Sequence, residues 1–191
     1  MQKLTVLTLL AAGSIATASA APAEYHLEKT HVDLLFAVSH LGFTQKHGSF
    51  RDLDASLTCD PEAMEKCHVE VVIQANSIDT GFEGRDKDVK GERFLDAAKY
   101  PEIRFVSRKV TKVGTTGLHI EGELTMHGVT KPLALDATLN KSAPNLFDKR
   151  PTLGFSAHGV LKRSEFGVAG LLPMIGDEVT ITIDAEFNHA I

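Results

Sequence analysis

The amino-acid sequence predicts an all-β fold, because apolar and polar residues alternate along most of its length. The segment 178–187, EVTITIDAEF, has an apolar residue at every second position and a polar residue between each pair. This alternation is typical of antiparallel strands with one face in the core and the other in water. The pattern recurs in eight segments: 32–38, 53–57, 69–75, 103–107, 118–126, 133–139, 153–161 and 179–187.

Eight strands with one apolar face each can close into a barrel or stack as two sheets. The alternation does not distinguish these architectures, although eight strands suit a small closed barrel. Residues 84–98 interrupt the pattern, since they are highly charged and are followed by Tyr100 and Pro101. The residue before a proline disfavours the helical conformation, so we expect a short helical insertion that ends before Pro101. It would cover one end of a barrel or cross the surface between two strands.

Residues 1–20 have the layout of a secretory signal peptide. Lys3 precedes an apolar run, and Ala18 and Ala20 supply small residues before the predicted cleavage site. The run is short for a membrane span and Gly13 interrupts it, which favours a cleaved signal over an anchor. We therefore expect export, followed by a single domain over residues 21–191.

The net charge of −5 limits the partners of the chain. Nucleic-acid binding needs clustered Lys and Arg, so we expect no nucleic-acid partner. No stretch after residue 20 is long and apolar enough to span a bilayer, so we expect no stable membrane insertion. The apolar residues 171–175 fall outside the alternation; they belong to the core, form a lip over an opening or offer a surface for a homodimer.

The two cysteines, Cys59 and Cys67, flank the polar, turn-like segment 60–66. Export places them in an oxidising compartment, where a disulfide is expected. A bridge that closes so short a loop contributes roughly 2–3 kcal/mol to stability. A metal site is less favoured, because only His68 lies nearby and the paired CxxC form is absent.

The sequence has no nucleophile elbow, glycine-rich phosphate loop or dinucleotide fingerprint, so we do not expect an enzyme. Four polar residues are nevertheless candidates for a binding site. His40 continues the apolar parity of segment 32–38, either as a buried, hydrogen-bonded histidine or as a polar group at the mouth of a cavity. Arg85 and Asp86 either form a local ion pair or present Arg85 to an anionic group, and Arg163 poses the same choice.

Six motifs follow one another along the chain: HVDLLFAVSHLG (31–42), ANSIDTGFEGRD (75–86), FLDAAKYPEIRF (94–105), GELTMHGVTKPL (122–133), RSEFG (163–167) and GDEVTITI (176–183). In this order they closely resemble the YceI-like family of bacterial periplasmic proteins. The resemblance implies a lipocalin-like, eight-stranded antiparallel β-barrel with the helical insertion. It also implies a periplasmic binding or carrier protein, with a long-chain isoprenoid lipid inside the barrel and no other cofactor. That lipid is a polyprenyl phosphate or an isoprenoid quinone.

If the barrel holds such a ligand, His40, Arg85, Asp86 and Arg163 are the candidates for contact with its polar end. Asp88 stands where the family commonly has a histidine, and an acidic side chain there fits a neutral quinone better than a phosphate. The cysteine pair is not a general feature of the family. The apolar lining is expected to consist of Leu34, Phe36, Val38, Leu41, Phe43, Val71, Ile73, Phe94, Ile103, Phe105, Leu124, Phe155, Phe166 and Ile181.

Two other functions remain open on the sequence. The chain could be an enzyme or redox partner that acts on a bound quinone, with His40 or Arg85 as its acid or anion-binding group. It could also be an interaction module with a solid barrel, whose loop residues Asn145 and Phe147 contact another protein. An apolar cavity inside the barrel distinguishes the ligand-binding functions from the solid module.

Overall fold

The structure, a computed structural model, describes residues 22–190, and the predicted signal peptide lies outside this range. The described part contains ten β-strands, one α-helix and three short 3-10 turns. None of its helices is long and apolar enough to cross a membrane. The strands are β1 (Ala23–His40), β2 (Thr44–Phe50), β3 (Leu53–Cys59), β4 (His68–Gln74), β5 (Ile78–Asp79), β6 (Glu102–Val113), β7 (Gly117–Met126), β8 (Val129–Pro144), β9 (Pro151–Lys162) and β10 (Ile175–His189); the helix is α1 (Glu83–Lys90), and the 3-10 turns are Met64–Lys66, Ala75–Ser77 and Arg163–Phe166.

The strands form one closed antiparallel barrel in the order β1, β3, β4, β6, β7, β8, β9 and β10, with β10 paired back to β1. β2 continues the line of β3: β3 pairs with the first part of β1, and β2 pairs with its second part. β5 continues β4 in the same way and pairs with β2. The ten strands therefore occupy eight positions, which confirms the predicted eight-stranded, lipocalin-like barrel.

The alternation in the sequence decides which side chains face the interior. In β3, Leu53, Ala55, Leu57 and Cys59 are buried, and the residues between them are exposed. β2 has no apolar alternation, but its pairing with β1 sets its inward face in the same way. Residues opposite each other across an antiparallel pair share a face, so inward-facing positions of β1 identify those of β2.

The segment between β5 and β6 forms the predicted insertion, but its helix is shorter than residues 84–98. α1 ends at Lys90, and residues 91–101 continue as turns. Gly91 leaves the helix in an extended conformation, while its N–H still donates to the Asp88 carbonyl at 3.1 Å. Leu95 and Ala97 then bury their side chains in the core. This burial draws the chain back onto the barrel instead of allowing the helix to continue.

The barrel has two different ends. At the closed end, the β3–β4 connection covers the interior, and the Cys59 and Cys67 sulfurs lie at bonding distance, in agreement with the predicted disulfide. The Met64 sulfur packs 3.6 Å from the Cys59 sulfur. At the open end, the turn 41–43, the insertion 80–101 and the loop 167–174 surround an opening into the barrel. This opening leads to the candidate site.

Candidate ligand-binding cavity

A cavity of about 550 Å³ occupies the open half of the barrel, and one of about 150 Å³ occupies the closed half. Leu34, Ile73, Leu124 and Ile181 line both cavities, so these four side chains form a waist between them. The barrel interior is therefore an elongated space with a mouth at the open end. A cavity of several hundred Å³ is the size of pockets that hold small molecules.

The small cavity is lined only by apolar residues, among them Leu57, Met64, Val69, Phe105 and Phe187. A space of this size and lining takes apolar groups and excludes ordered water, because a water needs two or more polar partners. The closed half of the barrel can thus accept a hydrocarbon segment and little else.

The polar residues that line the large cavity all belong to elements at the open end of the barrel. His40 ends β1, Lys46 and His47 lie in β2, and Thr80 follows β5. The remaining charged residues of the lining come from α1 and the 3-10 turn after β9: Arg85, Asp88 and Arg163. The cavity therefore changes from a polar mouth to an apolar interior along the barrel axis.

The structure places most of the predicted apolar residues in the walls of the two cavities. Leu41 and Phe43 lie instead in the exposed turn after β1, because the chain reverses at His40 and the strand parity does not continue through a turn. Phe166 is packed in the core beneath its 3-10 turn and lines neither cavity. The predicted residues in the walls are Leu34, Phe36, Val38, Val71, Ile73, Phe94, Ile103, Phe105, Leu124, Phe155 and Ile181.

Arg163 lines the cavity, but its guanidinium is committed to the protein. The residue is 5 % exposed, and its three nitrogens donate to the carbonyls of Val168, Ile175 and Gly176 at 2.7–2.8 Å. Burial lowers the pKa of this guanidinium from its usual value, and the Asp177 carboxylate opposes that shift. Arg163 thus ties the loop 167–174 to β10, which is the structural one of the two roles expected for it.

Arg85 and Asp86 both bind Thr80 and are not among the ion pairs of the described residues. Arg85 donates from Nε to the Thr80 hydroxyl at 2.9 Å and from Nη2 to the Thr80 carbonyl at 2.7 Å. Asp86 accepts from the Thr80 N–H at 2.8 Å and from its hydroxyl. Together they fix the start of α1 to the end of β5 through Thr80, in place of the local ion pair that was one of the two alternatives. Arg85 is half-buried and also lines the cavity, whereas Asp86 does not.

The polar mouth includes a cation that the sequence pattern did not identify. Lys46 pairs with Val38 across β1 and β2, so both side chains share the inward face, and both line the cavity. His40 is half-buried on the same face, and Asp88 reaches the cavity from α1. Their spacing in the sequence gives no motif; only the strand pairing brings them together. Lys46, Arg85 and His40 can donate hydrogen bonds to ligand oxygens at the mouth, whereas Asp88 repels anions.

Residues 22–190 contain no recognisable metal-binding site. This part of the chain holds no group of three or more His, Cys, Asp or Glu placed to bind a metal ion. Every buried side-chain nitrogen or oxygen in it has a hydrogen-bond partner. The two cavities, with a polar mouth and an apolar interior, suit an elongated apolar molecule with one polar end.

Comparison with known proteins identifies the family to which this barrel is similar. The YceI-like domain model matches residues 25–187. A UPF0312 protein of Pectobacterium carotovorum is 36% identical over 189 residues, which cover 97% of each chain. The crystal structure of a Campylobacter jejuni YceI protein superposes with a TM-score of 0.73 at 29% identity, over 80% of this chain and 90% of that one.

A further solved structure shares the fold at lower identity. It is described as a polyisoprenoid binding domain from Saccharophagus degradans, implicated in plant cell wall breakdown, and superposes with a TM-score of 0.64 at 15% identity. The superposition covers 87% of this chain and 98% of that one. With the domain match over nearly the whole barrel and relatives of equal length, the chain belongs to the YceI-like family.

Proposed function

We propose that this chain binds one long-chain isoprenoid lipid inside its barrel and carries it through the periplasm. The observation that carries the proposal is that the two cavities adjoin inside the barrel and share the lining residues Leu34, Ile73, Leu124 and Ile181. A long, thin, flexible hydrocarbon chain matches a space that is elongated, apolar and open at one end. A compact ligand would fill the large cavity and leave the small one empty.

The energetics favour an occupant over an empty barrel. An unfilled core cavity costs about 24 cal/mol per Å³, so the small cavity of about 150 Å³ alone forfeits roughly 4 kcal/mol of packing. A hydrocarbon chain that enters it restores those contacts, and each methylene buried contributes roughly 0.8 kcal/mol. The affinity for the ligand thus comes mainly from its hydrocarbon chain and not from its head group.

Family membership and the Saccharophagus degradans domain support an isoprenoid as the hydrocarbon part of the ligand. The likeness to that domain, at 15% identity, concerns the fold. The apolar walls of this chain therefore carry the argument for its own ligand.

Lys46 and Arg85 at the mouth can bind either head group, and Asp88 is the residue that disfavours a phosphate relative to a neutral quinone. Lys46 and Arg85 can donate to neutral carbonyl oxygens, and Asp88 on the same mouth repels a doubly charged phosphate. We therefore place an isoprenoid quinone ahead of a polyprenyl phosphate. On this basis Asp88→Asn should raise the affinity for polyprenyl phosphate several-fold while leaving quinone affinity nearly unchanged.

The test is organic extraction of the purified protein followed by mass spectrometry, with a matched pair of variants. Ile181→Trp places a large ring at the waist, and Val160→Trp adds the same ring on the exposed face of β9. We expect a prenyl lipid in the wild type and in Val160→Trp, and at least tenfold less in Ile181→Trp. Repeated recovery of the wild type without such a lipid, and without retention of added isoprenoid quinone, would sink the proposal.

The periplasmic location has its own measurement. Cell fractionation of a strain that makes the full chain should recover the protein in the periplasmic fraction. N-terminal sequencing should then find Ala21 as the first residue. A cytoplasmic protein that retains residues 1–20 would contradict the carrier's location but not its ligand.

A further inference from the structure

Exposed apolar side chains from three segments surround the mouth of the large cavity. We call them the apolar rim: Leu41, Phe43, Phe82, Leu171 and Met174, which are 50%, 85%, 64%, 40% and 50% exposed. Phe82 and Leu171 also line the cavity, so the rim is continuous with its apolar interior. Exposed apolar groups that cluster in this way mark interaction surfaces, whereas scattered ones do not.

The rim is held in place by the backbone. The Leu41 N–H donates to the Met174 carbonyl at 2.7 Å, which joins the turn 41–43 to the loop 167–174. The Phe43 N–H donates to the His40 carbonyl at 3.0 Å and closes the turn. Gly170 packs so closely on the insertion that a Cβ there would lie 2.3 Å from the Arg93 carbonyl oxygen. The rim therefore presents its side chains together as one preformed surface.

Two rim leucines occupy backbone positions that disfavour leucine. Leu41 has a φ of 52° and Leu171 a φ of 58°, which is the left-handed region where Gly or Asn is favoured. Neither residue is buried, so core packing does not account for the apolar side chain. A strained and exposed leucine on each side of one opening indicates that these side chains act on something outside the chain.

We infer that the apolar rim inserts into the surface of a lipid bilayer with neutral head groups, so that the mouth faces the hydrocarbon layer. The inference rests on the proposed function, because an isoprenoid that passes through water between membrane and barrel would expose its methylenes. A bilayer covers all three rim segments at once, and exposed aromatic and leucine side chains suit its interface.

Charge does not favour an anionic membrane. α1, beside the mouth, carries Glu83, Asp86 and Asp88 against Arg85, Lys87 and Lys90. The chain as a whole has a net charge of −5. Binding should therefore depend on apolar insertion and be insensitive to salt, since electrostatic attraction to anionic lipid is screened by ions.

The test is flotation of the purified protein with phosphatidylcholine vesicles. The rim variant, Leu41→Asn with Phe43→Ser, changes two residues that line neither cavity. The control, Leu146→Ser with Phe147→Ser, removes a leucine and a phenylalanine that are even more exposed, from the β8–β9 turn at the closed end. We expect the wild type and the control to float with vesicles, and the rim variant to partition at least tenfold less, at low and high salt alike.

Folding and loading are measured on the same proteins. Because Asn tolerates the left-handed region, the melting temperature of the rim variant should equal or exceed that of the wild type. Its uptake of isoprenoid quinone from detergent solution should match the wild type, while transfer of quinone to or from vesicles should slow at least tenfold. Met174→Ser, from the opposite side of the rim, gives a second variant with the same expected direction.

Equal flotation of wild type, rim variant and control would overturn the inference, and so would vesicle binding that disappears at high salt. No flotation of the wild type, with capture of a protein partner through the rim instead, would also overturn it. Failure of the proposed function looks different, because no protein would then take up quinone from detergent, whatever the vesicles show.

Discussion

The closed and open halves of this barrel have the same strands and the same alternation, yet they are stabilised by different means. In the closed half, Leu153 is almost fully buried, Leu57 lines a cavity of only about 150 Å³, and a disulfide covers the end. In the open half, the same inward rows border a cavity of about 550 Å³, and a buried arginine ties down the loop beside it. Alternation therefore fixes which face is inside, but not how fully that inside is packed.

The largest contrast should appear on β9, where two leucines share one strand and one face. Leu153 is almost fully buried near the closed end and borders neither cavity, while Leu161 lines the large cavity. We expect Leu153→Ala to lower the free energy of unfolding by about 3–4 kcal/mol, and Leu161→Ala by about 1 kcal/mol, because little packing is lost beside an existing space. Urea denaturation of the ligand-free proteins measures both.

Bound ligand should narrow the difference in stability between the Leu153→Ala and Leu161→Ala variants. Leu161→Ala removes a wall contact, so the stabilisation by saturating isoprenoid quinone should fall, whereas Leu153→Ala should keep it in full. Equal losses of stability at the two positions, with or without ligand, would mean that the open half is as tightly packed as the closed half.

The next effect concerns the buried arginine of the open end. Arg163→Met removes the guanidinium donors from the buried or half-buried carbonyls of Val168, Ile175 and Gly176. We expect a loss of about 3 kcal/mol in the free energy of unfolding. Arg104→Met, on the outer face of β6, is the control and should cost less than about 1 kcal/mol, since Arg104 pairs with Glu70 in solvent.

Hydrogen exchange locates the effect of Arg163→Met. Amides of the loop 167–174 should exchange faster in the variant, while those of β3 and β4 at the closed end should lose only what the global destabilisation requires. A uniform increase across the barrel, or equal losses in both arginine variants, would refute a local tying role for Arg163.

The contrast between the halves also shows what the sequence can predict. Each of the eight alternating segments corresponds to one strand position of the barrel, because burial of one face leaves a period of two in any strand. β2 escaped detection because its inward residues are Lys46, Gly48 and Phe50. A Cβ at Gly48 would lie 2.4 Å from the Phe36 ring, so the position opposite a large inward side chain holds a glycine.

The candidate site was predictable in its walls but not at its mouth. Wall residues such as Val38 and Ile103 follow from parity, since the cavity and the core share the same inward face. The mouth is built where strands end, so parity placed Leu41 and Phe43 wrongly inside and gave no sign of Lys46. Arg163 was visible as a charged residue in a motif, but only its three carbonyl partners show that it is structural.

The smallest expected effect is the response of the open end to acid. Asp177 accepts hydrogen bonds from the Ser164 N–H and hydroxyl at 2.9 and 2.7 Å, and these bonds lower the pKa of its carboxyl below the usual value. A depressed folded-state pKa means that the ionised group stabilises the fold above the unfolded-state pKa, near about 4. This contribution is lost as the pH falls through the lower, folded-state pKa.

Asp177→Asn should therefore lower the free energy of unfolding by about 1 kcal/mol at neutral pH, and the difference from the wild type should shrink as the pH falls below about 4. Glu178→Gln, its exposed neighbour on β10, is the reference variant. Melting temperatures across this range provide the measurement. If the difference in stability between Asp177→Asn and the wild type grew in acid, the pH dependence would have the opposite sign to the one expected. The Ser164–Asp177 contact would then not stabilise the open end.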